Sequence, residues 1–247
     1  MLLALLAWSA GAQAAPALPA GALAPAPPRT AAAGGPQAAA LSRLAPDADP
    51  RVLALALAAM HCAQAAGTGT AAQRLAVIDY RRSSLLPRLW VFDLAAGRLL
   101  YEEWVAHGQG SGGDVPERFS NAHGSHQSSL GLFRTLGTYQ GANGYSLRME
   151  GLEPGINDAA APRAIVVHGA DYVDPDRGRR MGRLGRSWGC PAVRRAIARP
   201  LIDALSDGQF LFAYAPDPQW LRDSPYAACA AGAPSPTSNS VPAGTAP

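Results

Sequence analysis

The 247-residue sequence contains no lysine: all 21 residues of its Lys+Arg count are arginine. A P-loop needs a lysine on the phosphates, a pyridoxal enzyme needs one for its Schiff base, and a serine penicillin-binding protein needs the lysine of S-x-x-K. All three are excluded. Arginine does not deprotonate in a protein site, so a general base must come from the five histidines or from carboxylates. Long apolar runs are also lacking. Residues 1–15 form a short one ending in Ala12-Gln13-Ala14, which fits the h-region and A-x-A site of a secretory signal peptide, although no basic residue precedes it. No later stretch reaches the ~18 apolar residues that a membrane helix needs. We therefore expect residues 1–14 to be a signal peptide and the protein to be periplasmic or otherwise exported, with no transmembrane segment. No cysteine follows the cleavage site to carry a lipid anchor.

Cysteine is scarce and odd in number. In an oxidising compartment Cys62, Cys190 and Cys229 leave one thiol without an intramolecular partner. Cys62 falls in a helical pattern that opens at Asp49-Pro50, with Asp as N-cap and Pro at the first helical position, and closes before Gly67. Its default reading is a small buried apolar residue; a Cys62–Cys229 bridge is the alternative.

Proline marks the flanks: eight lie at or before Pro50 and seven at or after Pro216. From Ser224 to Pro247 there is no charge at all. Ala/Pro/Ser/Gly stretches bury too little apolar surface to offset chain ordering, so 15–47 read as a linker and 223–247 as a disordered tail. Residues 48–72 read as one N-terminal helix and its connection. The remaining core is mostly strands. Segments 74–80, 88–94, 98–106, 130–136, 145–149, 164–167 and 210–214 are short and rich in β-formers, with Gly- and Asn-rich turns between them. Residues 93–97 suit a hairpin turn. A helix pattern occurs near 197–205, restarting at Pro200. The expected fold is mainly β with few helices.

Chemistry concentrates between Ala164 and Val193. An apolar run, Ala164-Ile165-Val166-Val167, delivers His168 and Gly169 at its end, and a Gly/Arg-rich loop leads to Gly185-Arg186-Ser187-Trp188-Gly189-Cys190. Taking Gly185 to Gly189 as a G-x-S-x-G elbow would make Ser187 the nucleophile of an α/β-hydrolase. That fold needs its histidine after the serine and an apolar strand before it. Here the last histidine is His168, and Gly and Arg precede Ser187. The alternative makes Cys190 the nucleophile and His168 its base. A thiol of pKa ~8.5 is only a few per cent thiolate at neutral pH, so an imidazole neighbour is needed. Gly189 permits close backbone approach, and the N–H groups of Gly189 and Cys190 could hold an oxyanion, each such donor being worth ~3 kcal/mol in the transition state.

His168-Gly169 after a strand, then a loop, then Ser187-Trp188-Gly189-Cys190, resembles the L,D-transpeptidases of the YkuD type, which remodel peptidoglycan. The murein L,D-transpeptidase catalytic domain branch is the closer resemblance. It extends over about residues 74–214 and includes Val105-Ala106-His107-Gly108, Phe119-Ser120-Asn121 and Gly124 through Gly131. The resemblance implies a β-sandwich or barrel catalytic domain over 73–222 and no cofactor or metal. It implies that Cys190 attacks the bond between the third and fourth residues of a stem peptide, with His168 as proton acceptor and the Gly169 carbonyl orienting its ring. D-alanine would leave, and the amine of a second stem would resolve the thioester to a 3-3 cross-link; water instead would give an L,D-carboxypeptidase. It also implies acylation by carbapenem-type inhibitors. Commoner members carry His where Trp188 stands, and Trp cannot transfer a proton, so His168 is left as sole base.

Arginine supports an anionic substrate. Residues 163–199 hold nine Arg against Asp171, Asp174 and Asp176, a local excess of 9 − 3 = +6. Stem peptides carry carboxylates that Arg can grip bidentately. Arg183 and Arg186, near Cys190, are the expected contacts, with Ser187 and Trp188 beside them. Nucleic acid is not an expected partner of an exported protein. His123 and His126 form H-x-x-H without further ligands, so no metal site is expected. His107 ends a strand and is read as a turn or cap residue that could line the cleft; His61 is read as structural. Two rivals remain. A sortase also places His before Cys, but it needs an Arg soon after Cys, where Arg194 and Arg195 stand, and a different approach to Cys. A peptidoglycan-binding module with a dead site is the non-enzyme rival.

Overall fold

Four caps followed by proline punctuate the chain described by a computed structural model, which covers residues 35–232. Asp49, Asp174, Asp217 and Ser224 each stand before a proline, and each side chain accepts a hydrogen bond from backbone N–H groups of the helix it opens. Proline at the first position costs nothing because its missing N–H would have been unpaired there. The helices are α2 Pro50–Ala65, α3 Pro175–Met181, α5 Pro218–Asp223 and α6 Pro225–Ala230. A further helix, α1 Pro36–Leu44, precedes α2, and α4 Arg195–Leu205 lies near the C-terminal end.

Eight of the nine strands fall on the seven predicted segments, and β8 was not predicted: β1 Arg74–Asp79, β2 Leu89–Asp93, β3 Arg98–Glu103, β4 Val105–Ala106, β5 Gly131–Gly141, β6 Gly144–Gly151, β7 Val166–Ala170, β8 Ala192–Arg194 and β9 Phe210–Tyr214. They form one sheet in the order β3-β2-β1-β9-β5-β6-β7-β8-β4. The predicted 93–97 turn joins β2 to β3, with Asp93 accepting from the Ala96 N–H and Gly97 at positive φ. The predicted strand 98–106 is divided. Its first part pairs with β2 and its last two residues with β8, with Trp104 between them. Since β3 and β4 stand at opposite ends of the strand order, that single residue joins the two edges and curls the sheet toward a barrel. The mainly β fold is thus as expected.

Four expectations are corrected. The 15–47 linker contains α1, whose Ala38 and Leu41 are buried in the core. The 223–247 tail contains α6: its Tyr226 and Ala227 are buried, and Cys229 is disulfide-bonded to Cys62 on α2. An uncharged Ala-rich segment can order when a cap, an apolar face and a covalent tie act together, which composition alone does not reveal. Two N-terminal helices stand where one was expected. Pro200 also does not restart a helix; α4 runs through it, because Ala198, Leu201, Ile202 and Leu205 bury one continuous face across the proline. The predicted signal peptide 1–14, the first part of the linker and residues 233–247 of the tail lie outside the described residues.

The disulfide closes a sequence separation of 167 residues. Such a tie stabilises mainly by restricting the unfolded chain, typically by about 2–5 kcal/mol in exported domains. Reduction, or Cys62→Ser with Cys229→Ser, is expected to lower the unfolding free energy by that amount while α1 through β9 stay assembled. A denaturation midpoint indifferent to reductant would contradict this.

Candidate active site

β7 is buried throughout, so His168 enters the core as a strand residue; β8 runs parallel beside it in the register His168↔Ala192. The residue two positions before Ala192 therefore lies beside the start of β7. That residue is Cys190, and the Val166 N–H points at its Sγ at 3.5 Å. The thiol in turn donates weakly to the Ala164 carbonyl at 3.7 Å. Ala164 holds a left-handed φ of 54° to present that carbonyl, an uncommon conformation for a non-glycine residue. The ring of His168 is fixed by its Nδ1, 3.1 Å from the carbonyl of Gly169. A carbonyl only accepts, so Nδ1 carries the proton and Nε2 keeps its lone pair. Gly169 has no side chain because α4 packs directly on it: a Cβ there would stand 2.7 Å from that of Ala198.

The loop before Cys190 is held by a hydroxyl hub. Ser187 Oγ donates to the Cys190 carbonyl at 2.6 Å and accepts from the Gly189 N–H at 3.1 Å. Its backbone bonds the other way, N–H to the His107 carbonyl and carbonyl to the Gln109 N–H. Ser128 Oγ ties the Gly189 carbonyl, at 3.2 Å, to the Gly108 N–H, at 3.0 Å. The three separated motifs of the sequence thus meet in one knot under the thiol. Ser187 is buried and committed here, with no strand leading into it, which removes the hydrolase-elbow reading. Gly189 sits at φ +119°, and a Cβ on it would press on the Gln127 carbonyl at 2.8 Å. Its N–H is spent on Ser187, so of the two expected oxyanion donors the Cys190 N–H is the one that forms no hydrogen bond among the described residues.

Cys190, His168, Ser187, Trp188 and Arg186 line one cavity of about 410 Å³. Trp188 is 70% exposed and stacks on His126, ring centroids 5.1 Å apart. A second hollow of about 340 Å³, between Phe119, Ile156 and Trp220, is lined by no thiol or imidazole. Burial pushes the Cys190 thiol above its usual pKa, against the pull of the Val166 N–H and the charge of Arg163. Burial pushes His168 below its usual value, and Arg195 adds to this against the Gly169 bond. Both groups therefore rest neutral.

Behind the knot lies a second buried pair. Arg88, wholly buried and pushed down to about 10 by burial, donates to the Val105 and Arg82 carbonyls and to His107 Nδ1 at 2.8 Å. His107 is consequently held neutral, lowered to about 3 by burial first and by the Arg88 charge second. In the unfolded chain it would titrate near 6.5. Between those values the unfolded state binds the extra proton, so stability is complete above about pH 6.5 and is lost as pH falls toward 3. The expected loss is on the order of 4 kcal/mol. Urea unfolding from pH 7 to pH 4 checks it, and a flat profile would contradict it.

A family model for the L,D-transpeptidase catalytic domain (YkuD_2) matches residues 44–214, more than two thirds of the chain. The chain belongs to that family. Solved structures show a looser likeness. An L,D-transpeptidase from Mycobacterium smegmatis is 17% identical, with TM-score 0.35, over 58% of this chain and 59% of that one. One from Stackebrandtia nassauensis is 15% identical, with TM-score 0.33, over 59% and 57%, and L,D-transpeptidase 1 of Mycobacterium tuberculosis is 13% identical, with TM-score 0.33, over 58% and 62%. The chain thus matches under two thirds of the length of each. No curated protein matches.

For this member of the L,D-transpeptidase catalytic domain family, the structure sorts the predicted contacts. Arg186 lines the cavity, its Nη1 bonded to the Gly112 carbonyl. Arg183 does not; it turns to the carbonyl of its neighbour Leu184, so closeness in sequence misled. The sortase arginines are engaged elsewhere: Arg194 is forked onto Glu103 at 2.8 and 2.5 Å, and Arg195 pairs with Asp171. His107 is a buried partner of Arg88 and does not line the cavity. Sequence reasoning missed Asn143, Tyr172 and Arg163, which also line it. Asn143 lies in the β5–β6 turn, and nothing local announces that it would line this cavity.

Proposed function

We propose that this protein is a peptidoglycan L,D-transpeptidase that forms 3-3 cross-links through a thioester on Cys190, with His168 as the base. The observation that carries the reading is the placement of Cys190, the free cysteine among the described residues, in one cavity with a histidine whose Nε2 is left as acceptor. Turned from the Ala164 carbonyl toward His168, the thiol gives its proton to Nε2. The thiolate then adds to the carbonyl of the third stem residue, and the Cys190 N–H faces the developing oxyanion. Collapse expels D-alanine, whose amine takes the proton from the imidazolium. The amine of a second stem attacks the thioester, its proton passes to His168, and Cys190 returns as thiol. Arg186 and Trp188 bind the donor stem, Ser187 lines the cavity and holds the loop beneath it, and the Arg183 contact is not part of this reading. The disulfide supports an exported location, since such bonds persist in oxidising compartments.

Tetrapeptide muropeptides digested with the pure protein and resolved by mass spectrometry test it. Dimers joined through the third residues are expected, together with a carbapenem adduct that is absent in Cys190→Ala. Tripeptides without dimers would make the enzyme an L,D-carboxypeptidase. Absence of both products and of the adduct would leave a binding module.

A further inference from the structure

Arg163 stands just before β7, and its guanidinium is fixed by four oxygens. Nη1 donates to the Ser120 carbonyl at 2.6 Å and to Ser129 Oγ at 2.7 Å; Nη2 donates to the Gln127 carbonyl at 2.7 Å and to Ser125 Oγ at 3.2 Å. All four acceptors are neutral, and no carboxylate lies within ion-pair distance of Arg163 among the described residues. A buried or half-buried arginine ordinarily finds a carboxylate. This one instead lines the cavity that holds Cys190 and His168, with Nη2 3.5 Å from the point where a Cβ on Gly189 would stand.

We propose that Arg163 is a positioning residue: its unpaired guanidinium is the fixed countercharge beside which the Cys190 thiolate forms. Proton transfer from Sγ to His168 Nε2 creates an anion at a site where burial penalises it. His168 is itself held toward its neutral form, so the imidazolium formed is a costly partner. A cation that needs no reorganisation offsets part of the first cost, that of the thiolate. The other ionisable groups facing the thiol do not supply this. Tyr80, after β1, and Tyr172, after β7, are kept protonated by burial, and of the two arginines lining the cavity Arg163 is the one whose charge holds the Cys190 thiol down, Arg186 being bonded at the Gln109 and Gly112 carbonyls. The same four bonds pin the 120–129 segment, which carries Ser128 and His126, onto the site. The serines that look like loop filler in the sequence thus act as the socket of a charge.

The inference rests on Cys190 being the nucleophile, but its test needs no stem peptide. With Cys62 and Cys229 paired, Cys190 is the free thiol of the described residues, so the pH dependence of its alkylation by iodoacetamide in the full-length protein reads its thiolate directly. Arg163→Gln is expected to raise the alkylation midpoint by about one unit, roughly tenfold slower reaction at pH 7. Arg163→Lys, which keeps the charge and loses the fork, is expected to hold the midpoint near that of the unaltered protein. Ser125→Asp, which places a carboxylate against Nη2, is expected to raise it. An unchanged midpoint in Arg163→Gln, or an equal rise in Arg163→Lys, overturns the proposal in favour of a purely structural clamp. Should Arg163→Gln fail to fold by circular dichroism, Ser125→Asp decides: a raised midpoint supports the countercharge and an unchanged one overturns it. Absent turnover with a shifted midpoint would count against the transpeptidase reading and leave this one standing.

Discussion

Cys190→Ala is expected to lower kcat/KM for muropeptides by about 10⁴-fold or more and to leave the fold nearly as stable as before. The activity loss follows from chemistry: without the sulfur no thioester forms, and a methyl group has no substitute proton to give His168. The small stability change follows from packing. Sγ contributes one weak bond from the Val166 N–H and one to the Ala164 carbonyl, at 3.5 and 3.7 Å. Removing it costs roughly 1 kcal/mol, as for a small buried apolar group. Ser187→Ala separates this reading from a serine mechanism. It frees the Gly189 N–H and the Cys190 carbonyl and so should weaken turnover without abolishing it. Turnover retained in Cys190→Ala and lost in Ser187→Ala would refute the thiol route.

Gly108→Ala should damage turnover strongly although it touches no reacting group. A Cβ at Gly108 would stand 2.3 Å from the His126 carbonyl oxygen, 2.8 Å from the Gly189 Cα and 2.9 Å from its nitrogen. All three are backbone atoms, so no side chain can swing aside. Either the 107–109 segment or the loop bearing Cys190 must move by a substantial part of an ångström. Overpacking of this kind costs about 1–3 kcal/mol, and a displacement near 1 Å at reacting groups can cost about 100-fold in rate. Gly113→Ala is the control: nothing lies within 4 Å of its added Cβ. Thermal melts and muropeptide kinetics on both variants check the contrast, and equal behaviour would mean that the knot tolerates movement.

The strands of the core were legible because short runs of β-formers between Gly- and Asn-rich turns are local signals. β2 and β9 fall within one residue of the expected ends. Helix α3 was equally legible and passed over: Asp174-Pro175 repeats the Asp49-Pro50 signal, but the many arginines after it read as loop. The division of 98–106 at Trp104 was not legible, because β4 is chosen by β8, some ninety residues later in the chain. Nor was the ordered part of the tail, since the bond from Cys229 to Cys62 crosses 167 residues.

By itself the sequence determined which side chains are candidates for the proposed chemistry. Side-chain identity limits who can be nucleophile or base, and a chain with no lysine, one cysteine in the Gly-flanked motif and one histidine directly after the apolar 164–167 run leaves few arrangements. Only the tertiary structure decided which groups surround that pair: Ser128 under Gly189, Gly108 against the Cys190 loop, Arg163 caged by serines, and Arg183 turned away. The reason is that these contacts join segments far apart in the chain, 61 residues in the case of Ser128 and Gly189. Helical and strand periodicities record only neighbours a few positions away. A charge without a carboxylate partner or a spent N–H becomes visible only when the chain has closed on itself.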